Sequence, residues 1–163
     1  MSLLYIVDGY NVIKSGPLGD LPLRQARERF FSFLETSRPH GSVRNRLIVV
    51  FDGSSEVFGF KDQTSFEVVF TSGESADEKI KSLVGDLPDT RSVIVVTDDR
   101  DLSYSVRRCG AQVMGTKDFL NKPRHKGQGR SRRAAGEADA GNTLNLVQRE
   151  RITEEFRKLW LDQ

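Results

Sequence analysis

The chain has 163 residues, of which 37% are hydrophobic, and its formal net charge is +2. This length can bury one sizeable core, so we expect one folded domain with an extension. The single cysteine and two histidines exclude an internal disulfide and a structural zinc site. We find neither an apolar leader nor a run of about 18 apolar residues, so we expect a cytoplasmic protein without a membrane partner.

The first third of the chain places a helical pattern between two apolar runs. Residues 3–7 predict a first strand, and the glycines between residues 9 and 19 predict a loop. Apolar side chains then recur at helical spacing over residues 23–36, which predicts an amphipathic helix. Residues 47–51 are continuously apolar and predict a second strand.

The alternation continues to residue 120. The further predicted elements are a strand at 66–71, a helix at 75–83, a strand at 92–96, a helix at 102–109 and a strand at 111–114. Strands that alternate with helices predict a single α/β domain, doubly wound around a mostly parallel sheet of about five strands. We therefore expect a domain at residues 1–120, a flexible basic linker at 121–141 and a C-terminal helix at 142–163.

Acidic residues follow the strands of this predicted sheet. Asp8 and Asp52 end the first two strands, Asp98 and Asp99 follow the fourth, and Asp77 opens a helix. Because parallel strands end at the same edge of a sheet, we expect these carboxylates to converge. A cluster of carboxylates is unfavourable unless a divalent cation neutralises it, and Mg²⁺ or Mn²⁺ prefers such oxygen ligands. The pattern favours metal-assisted phosphodiester hydrolysis.

Four motifs in this order resemble a known family. They are Asp-Gly-Tyr-Asn at residues 8–11, Phe-Asp-Gly at 51–53, Ser-Ala-Asp at 75–77 and Thr-Asp-Asp-Arg-Asp at 97–101. Together they resemble the NYN domain of the PIN-like nuclease superfamily. Ala-Asp-x-x-Ile at 76–80 and the closing Arg-Ile-Thr-Glu-Glu-Phe-Arg-Lys-Leu-Trp are most similar to YacP-like ribonucleases. The resemblance implies a PIN-like fold and a metal-dependent endoribonuclease, and it suggests messenger RNA on the ribosome as the substrate.

The resemblance also implies roles for individual residues. Asp8, Asp77 and Asp99 match the family's metal ligands and are the predicted catalytic centre. Asn11 matches an amide that orients Asp8 or a phosphate; the alternative is that this asparagine simply forms an Asx turn.

Three further aspartates have less defined predicted roles. Asp101 matches an additional catalytic aspartate of PIN-like enzymes, and Asp98 is a predicted metal residue outside the direct ligand shell. Asp52 either binds the metal through water or caps the turn at Gly53.

A basic segment follows the last predicted strand. Between residues 117 and 133 there are seven lysines or arginines and one acid, Asp118. The predicted RNA-binding residues are Lys117, Lys122, Arg124, Lys126, Arg130, Arg132 and Arg133. Such a segment follows an RNA backbone electrostatically, or it is simply a soluble linker.

Two other functions are compatible with parts of the sequence. A response-regulator receiver domain would use Asp52 as its phospho-acceptor, with Thr97 and Lys117 as partners, but it leaves Asp77 and Asp99 without a role. A catalytically silent RNA-binding module of the same fold is the second alternative.

Overall fold

Five parallel strands form the central sheet in the computed structural model, which describes residues 2–53 and 64–122. The strands are β1 (Leu4–Asp8), β2 (Arg46–Asp52), β3 (Glu67–Thr71), β4 (Val93–Val96) and β5 (Gln112–Met114). They are arranged in the order β3-β2-β1-β4-β5, and every neighbouring pair is parallel. The predicted α/β fold with a parallel, five-stranded sheet is therefore confirmed.

The strand order reverses between β1 and β4. The chain places β2 and β3 successively on one side of β1, and it then returns to place β4 on the other side. Receiver domains have the flavodoxin-like order 2-1-3-4-5, whereas this sheet reads 3-2-1-4-5. The receiver alternative is therefore wrong at the level of strand order.

Helices cover both faces of the sheet. They are α1 (Gly9–Ser15), α2 (Leu23–Ser37), α3 (Ala76–Gly85), α4 (Arg100–Arg108) and α5 (Thr116–Leu120), with a 3₁₀ turn at Thr90–Ser92. Ile80 of α3 and Val106 of α4 share one buried cluster with Ile6 of β1. On the other face, Phe31 of α2 packs edge-on against Phe51 of β2. Side chains alternate along a strand, so Asp8 lies on the same face as Ile6, towards α3 and α4.

Residues 9–15 form α1, and the predicted loop at this position is wrong. The carboxylate of Asp8 accepts a hydrogen bond from the N–H of Asn11 at 3.2 Å and thereby caps the first turn. Gly9 permits the close approach of this turn to β2, because a Cβ there would lie 2.4 Å from Cε1 of Phe51. A local cap and one tight contact thus outweigh the glycine content of the segment.

The remaining predicted elements agree with the structure to within one or two residues at most ends, and the short helix α5 was not predicted. Within the two described stretches, no helix has the length and apolar character needed to cross a membrane. The predicted linker at 121–141 lies outside the described residues beyond position 122, and so does the whole predicted helix at 142–163.

Candidate active site

The carboxyl ends of β1 and β4 lie side by side where the strand order reverses. Val7 pairs with Val96, so Asp8 lies at the level of Thr97, which begins the loop into α4. In open parallel sheets, ligands bind outside the carboxyl ends of the strands at such a reversal. A ligand-binding site is therefore expected at this edge of the sheet.

Asp8 is almost fully buried, with 8% of its surface exposed. The pKa of Asp8 is raised to about 6, chiefly by burial and then by the charges of Asp77 and Asp99, against the lowering effects of the Asn11 N–H and the charge of Lys14. A buried carboxylate next to two others is costly in free energy. Its position therefore calls for a function beyond capping α1.

Asp77 lies in the first turn of α3, directly after a capping box. Ser75 Oγ accepts from the N–H of Glu78 at 3.2 Å, and the Glu78 carboxylate accepts from the N–H of Ser75 at 3.1 Å. The helix is thus capped without Asp77, whose carboxylate remains available for another role. Partial burial and then the charge of Asp99 raise the pKa of Asp77, which Lys81 opposes.

Asp99 is the N-cap of α4. Its Oδ1 accepts from the N–H of Leu102 at 2.8 Å, and its own N–H donates to Oγ1 of the buried Thr97 at 3.1 Å. These two bonds fix the carboxylate at the edge of the sheet. Capping engages one oxygen, and a carboxylate has about four acceptor sites, so the group can still bind a cation.

Asp8, Asp77 and Asp99, which we call the acidic triad, belong to three separate segments of the chain. The charge of Asp99 raises the pKa values of both Asp8 and Asp77, so the three groups are electrostatic neighbours. Within residues 2–53 and 64–122, however, no group of three His, Cys, Asp or Glu side chains is close enough to hold a metal ion. Mg²⁺ and Mn²⁺ commonly use one or two protein carboxylates, with water and substrate as further ligands. The donor chemistry of the triad fits such an ion.

Asn11 connects the two strands at the reversal point. Its side-chain Oδ1 accepts from the N–H of Asp98 at 3.0 Å, across 87 positions of sequence. The amide therefore holds the loop after β4 against α1, and it orients the backbone that carries Asp99.

Asp98 has a different environment from Asp99. Its carboxylate accepts from the N–H of Thr116 at 3.0 Å and from the Thr116 hydroxyl. Burial raises the pKa of Asp98, but hydrogen bonds from Thr116 and Ser15, together with the charge of Lys117, outweigh burial and lower it. Asp98 is not among the charges that shift Asp8 or Asp77. The structure thus places Asp98 as a clamp between β4 and α5, and a metal role for it stays a prediction.

Asp52 and Asp101 lie on the periphery of the acidic triad. Both are exposed, and both charges raise the pKa of Asp77, after burial and Asp99. Asp52 Oδ1 also accepts from the hydroxyl of Thr71 at 3.3 Å, which ties the end of β2 to the end of β3. Their predicted metal and catalytic roles stay predictions.

Two lysines near the triad were not predicted. Lys14 lowers the pKa of Asp8, and Lys81 lowers that of Asp77, so both compensate part of the negative charge. Lys81 follows Asp77 by four residues on α3, a helical spacing that the sequence already displays. Lys14 could not be found, because its segment was predicted to be a loop.

The predicted RNA-binding residues are only partly described. Lys117 is exposed on α5, close enough to Asp98 to affect its pKa. Lys122 donates to the hydroxyl of the buried Tyr5 at 2.8 Å, so its ammonium group is engaged by the core. The remaining five, Arg124, Lys126, Arg130, Arg132 and Arg133, lie outside the described residues.

Comparisons with known proteins agree with this fold. A family model described as the YacP-like NYN domain matches residues 5–160. The structure is similar to the crystal structure of Rae1 (YacP) from Bacillus subtilis, with a TM-score of 0.59 and 25% identity over 98% of this chain and 82% of that chain. A tryptophan-to-leucine variant of Rae1 gives a TM-score of 0.58 and 29% identity over 74% and 73% of the two chains. No curated protein matches the chain.

Proposed function

Because the chain belongs to the YacP-like NYN domain family, a family of nucleases, we propose that it is a divalent-metal-dependent endoribonuclease that hydrolyses RNA phosphodiester bonds. One observation carries the proposal: at the edge where the strand order reverses, the charges of Asp77 and Asp99 raise the pKa of the buried Asp8, and the charge of Asp99 raises that of Asp77. Carboxylates that only solubilise a surface avoid burial and like charges. The burial of Asp8 and the like charges around it therefore support a site that binds cations.

One or two carboxylates of the triad would hold Mg²⁺ or Mn²⁺ at the edge of the sheet, with water and substrate as the other ligands. When bound, the ion lowers the pKa of an attacking water and neutralises charge on the leaving oxygen. Asp8, with a pKa of about 6, is ionised at neutral pH and can bind the ion. Asn11 holds the loop that carries Asp99 against α1, and Lys81 offsets the charge of Asp77.

Messenger RNA is the substrate that we propose, with the ribosome as a partner and the cytoplasm as the location. The family resemblance motivates this choice, and the exposed Lys117 beside the carboxyl edge supports a path for a polyanion. The Asp98 clamp to Thr116 ties α5, and with it Lys117, to the site.

Cleavage of single-stranded RNA in Mn²⁺ tests the activity. We expect the wild-type chain to cut internally, and we expect Asp8→Asn and Asp77→Asn to lower the rate by at least about 100-fold, because each removes a ligand charge. Binding of Mn²⁺, followed by the paramagnetic resonance of the free ion, should weaken in the same variants.

Asp86→Asn is the matched control, since Asp86 is an exposed aspartate at the opposite end of α3. Its cleavage rate should equal that of the wild type. If both triad variants cleave RNA normally, the assignment of the site is wrong. If the wild-type chain binds RNA without cutting it in either metal, the protein is the silent RNA-binding module instead.

A further inference from the structure

The outer face of α4 carries a strip of basic and aromatic side chains. Arg100, Tyr104, Arg107 and Arg108, which we call the α4 strip, are all exposed, and Tyr104 is 66% exposed. At 3.6 residues per turn, the four positions fall within an arc of about 100°. The opposite face of the helix is buried through Leu102 and Val106.

The positive charge of the α4 strip is largely uncompensated. Within residues 2–53 and 64–122, none of its three arginines forms an ion pair, whereas Arg24, Arg46 and Lys79 do. The exposed Asp101 is the one acid in the first turn of α4. Three arginines on one narrow face repel one another, so the strip complements an anion.

Tyr104 adds a second kind of contact to the α4 strip. The guanidinium carbon of Arg108 lies 5.9 Å from the centroid of the Tyr104 ring, which is cation–π distance. The contact favours one orientation of an otherwise exposed ring. A largely exposed aromatic ring between cations is the combination on which proteins stack unpaired bases while binding the adjoining phosphates.

The position of the α4 strip relates it to the acidic triad. Arg100 directly follows Asp99, and the strip extends about 12 Å along the helix from there to Arg108, at about 1.5 Å per residue. An extended ligand bound along the α4 strip therefore reaches the edge of the sheet where Asp99 lies.

We propose that the α4 strip binds one flank of a single-stranded RNA next to the cleaved bond, with its arginines on phosphates and Tyr104 stacked on a base. This proposal rests on the proposed function, because it extends the same site. Single-stranded RNA is favoured over a duplex because paired bases do not expose a face to a side chain.

Binding of a short fluorescent oligouridine to the full-length Asp8→Asn chain tests the stacking contact. This background removes cleavage from the measurement. We expect Tyr104→Ala to weaken binding about tenfold, and Tyr104→Phe to leave it nearly unchanged because the ring remains. With an oligonucleotide that lacks bases, all three chains should bind equally.

The salt dependence of the same binding tests the arginines. Arg107→Ala with Arg108→Ala should lower the slope of log affinity against log salt by about 1.4, the value for two lost phosphate contacts on a single strand. Arg44→Ala with Arg91→Ala is the charge-matched control, because these exposed arginines precede β2 and β4 at the opposite edge. The control should keep the slope of the Asp8→Asn chain.

The outcomes separate this proposal from the proposed function. Unchanged affinity in Tyr104→Ala, or equal slopes in both double variants, overturns the α4 strip as an RNA-binding surface whether or not the wild-type chain cuts RNA. A wild-type chain that does not cut RNA, while the strip variants still lose affinity, overturns the nuclease proposal and leaves the binding surface.

Discussion

The environment of the polar side chains differs between the two edges of the sheet. At the amino edge, Asn45 accepts from the N–H of Leu3 at 2.9 Å and donates to the carbonyl of His40 at 2.7 Å. At the carboxyl edge, burial and like charges raise the pKa values of Asp8 and Asp77. Hydrogen-bonded polar groups stabilise a fold, whereas buried like charges destabilise it. The comparison indicates that Asn45 stabilises the amino edge, whereas Asp8 and Asp77 reduce stability at the carboxyl edge, as expected of functional residues.

His40 differs from Asn45 at the amino edge because one of its buried polar atoms lacks a hydrogen bond among the described residues. Its Nδ1 is buried without a hydrogen-bond partner among the described residues, and burial lowers the pKa of its imidazole. The side chain is therefore neutral at pH 7. It adds no charge to this edge, so the electrostatic contrast with the acidic triad remains.

Asp8→Asn should have the largest effect on stability. The pKa of Asp8 is about 6 in the folded protein, against 3.8 for a free aspartate. Between these values the folded state binds more protons, so the free energy of unfolding falls by about 2 to 3 kcal/mol as pH rises from 4 to 6. Asparagine carries no charge and is a good N-cap. Urea unfolding in chelator should therefore show a variant about 2 to 3 kcal/mol more stable at pH 7.

The pH dependence of stability provides a control for the comparison of Asp8→Asn with the wild type. At pH 4, where Asp8 is protonated in the folded state, the variant and the wild type should have similar stability. Asp77→Asn should be at least as stable as the wild type at pH 7, because the pKa of Asp77 is also raised. A less stable Asp8→Asn at pH 7 would show that the carboxylate is structural and would remove the contrast between the edges.

Asn45→Ala should have the opposite effect at the amino edge. It removes both hydrogen bonds of a partly buried side chain, so we expect the free energy of unfolding to fall by about 2 kcal/mol. RNA cleavage per folded molecule should not change. Asn45→Asp retains the acceptor for Leu3 and loses the donor to His40, so about half of the loss should remain. Reduced cleavage by a well-folded Asn45→Ala would contradict the division between the edges.

Asp98→Ala should change stability less than Asp8→Asn or Asn45→Ala. We expect the free energy of unfolding to fall by about 1 kcal/mol, because Asp98 is exposed and its hydrogen bonds compete with water. The lowered pKa of Asp98 means that this stabilisation is present above pH 4 and disappears as pH falls through the folded-state pKa. Thr116→Val removes only the hydroxyl donor of Thr116 and should cause a smaller loss. A loss that persists unchanged at pH 2 would contradict a role for the ionised carboxylate.

Much of the fold follows from local patterns. Continuous apolar runs identified the strands, and the pair Ser75 and Glu78 marked the start of α3, since strand burial and helix capping depend on neighbouring residues. The prediction of a loop at 9–15 was wrong because the helix there depends on a cap from Asp8 and on a close contact with Phe51. Neither is visible in the composition of the segment.

The sequence alone determined that aspartates end the strands and open the helices at one edge of a parallel sheet. Only the tertiary structure decided which of them meet. Asp98 and Asp99 are adjacent, yet one is bound by Thr116 while the other raises the pKa of Asp8 and Asp77. The physical reason is that hydrogen bonds and electrostatic interactions depend on distances between segments far apart in the chain, and strand order sets those distances.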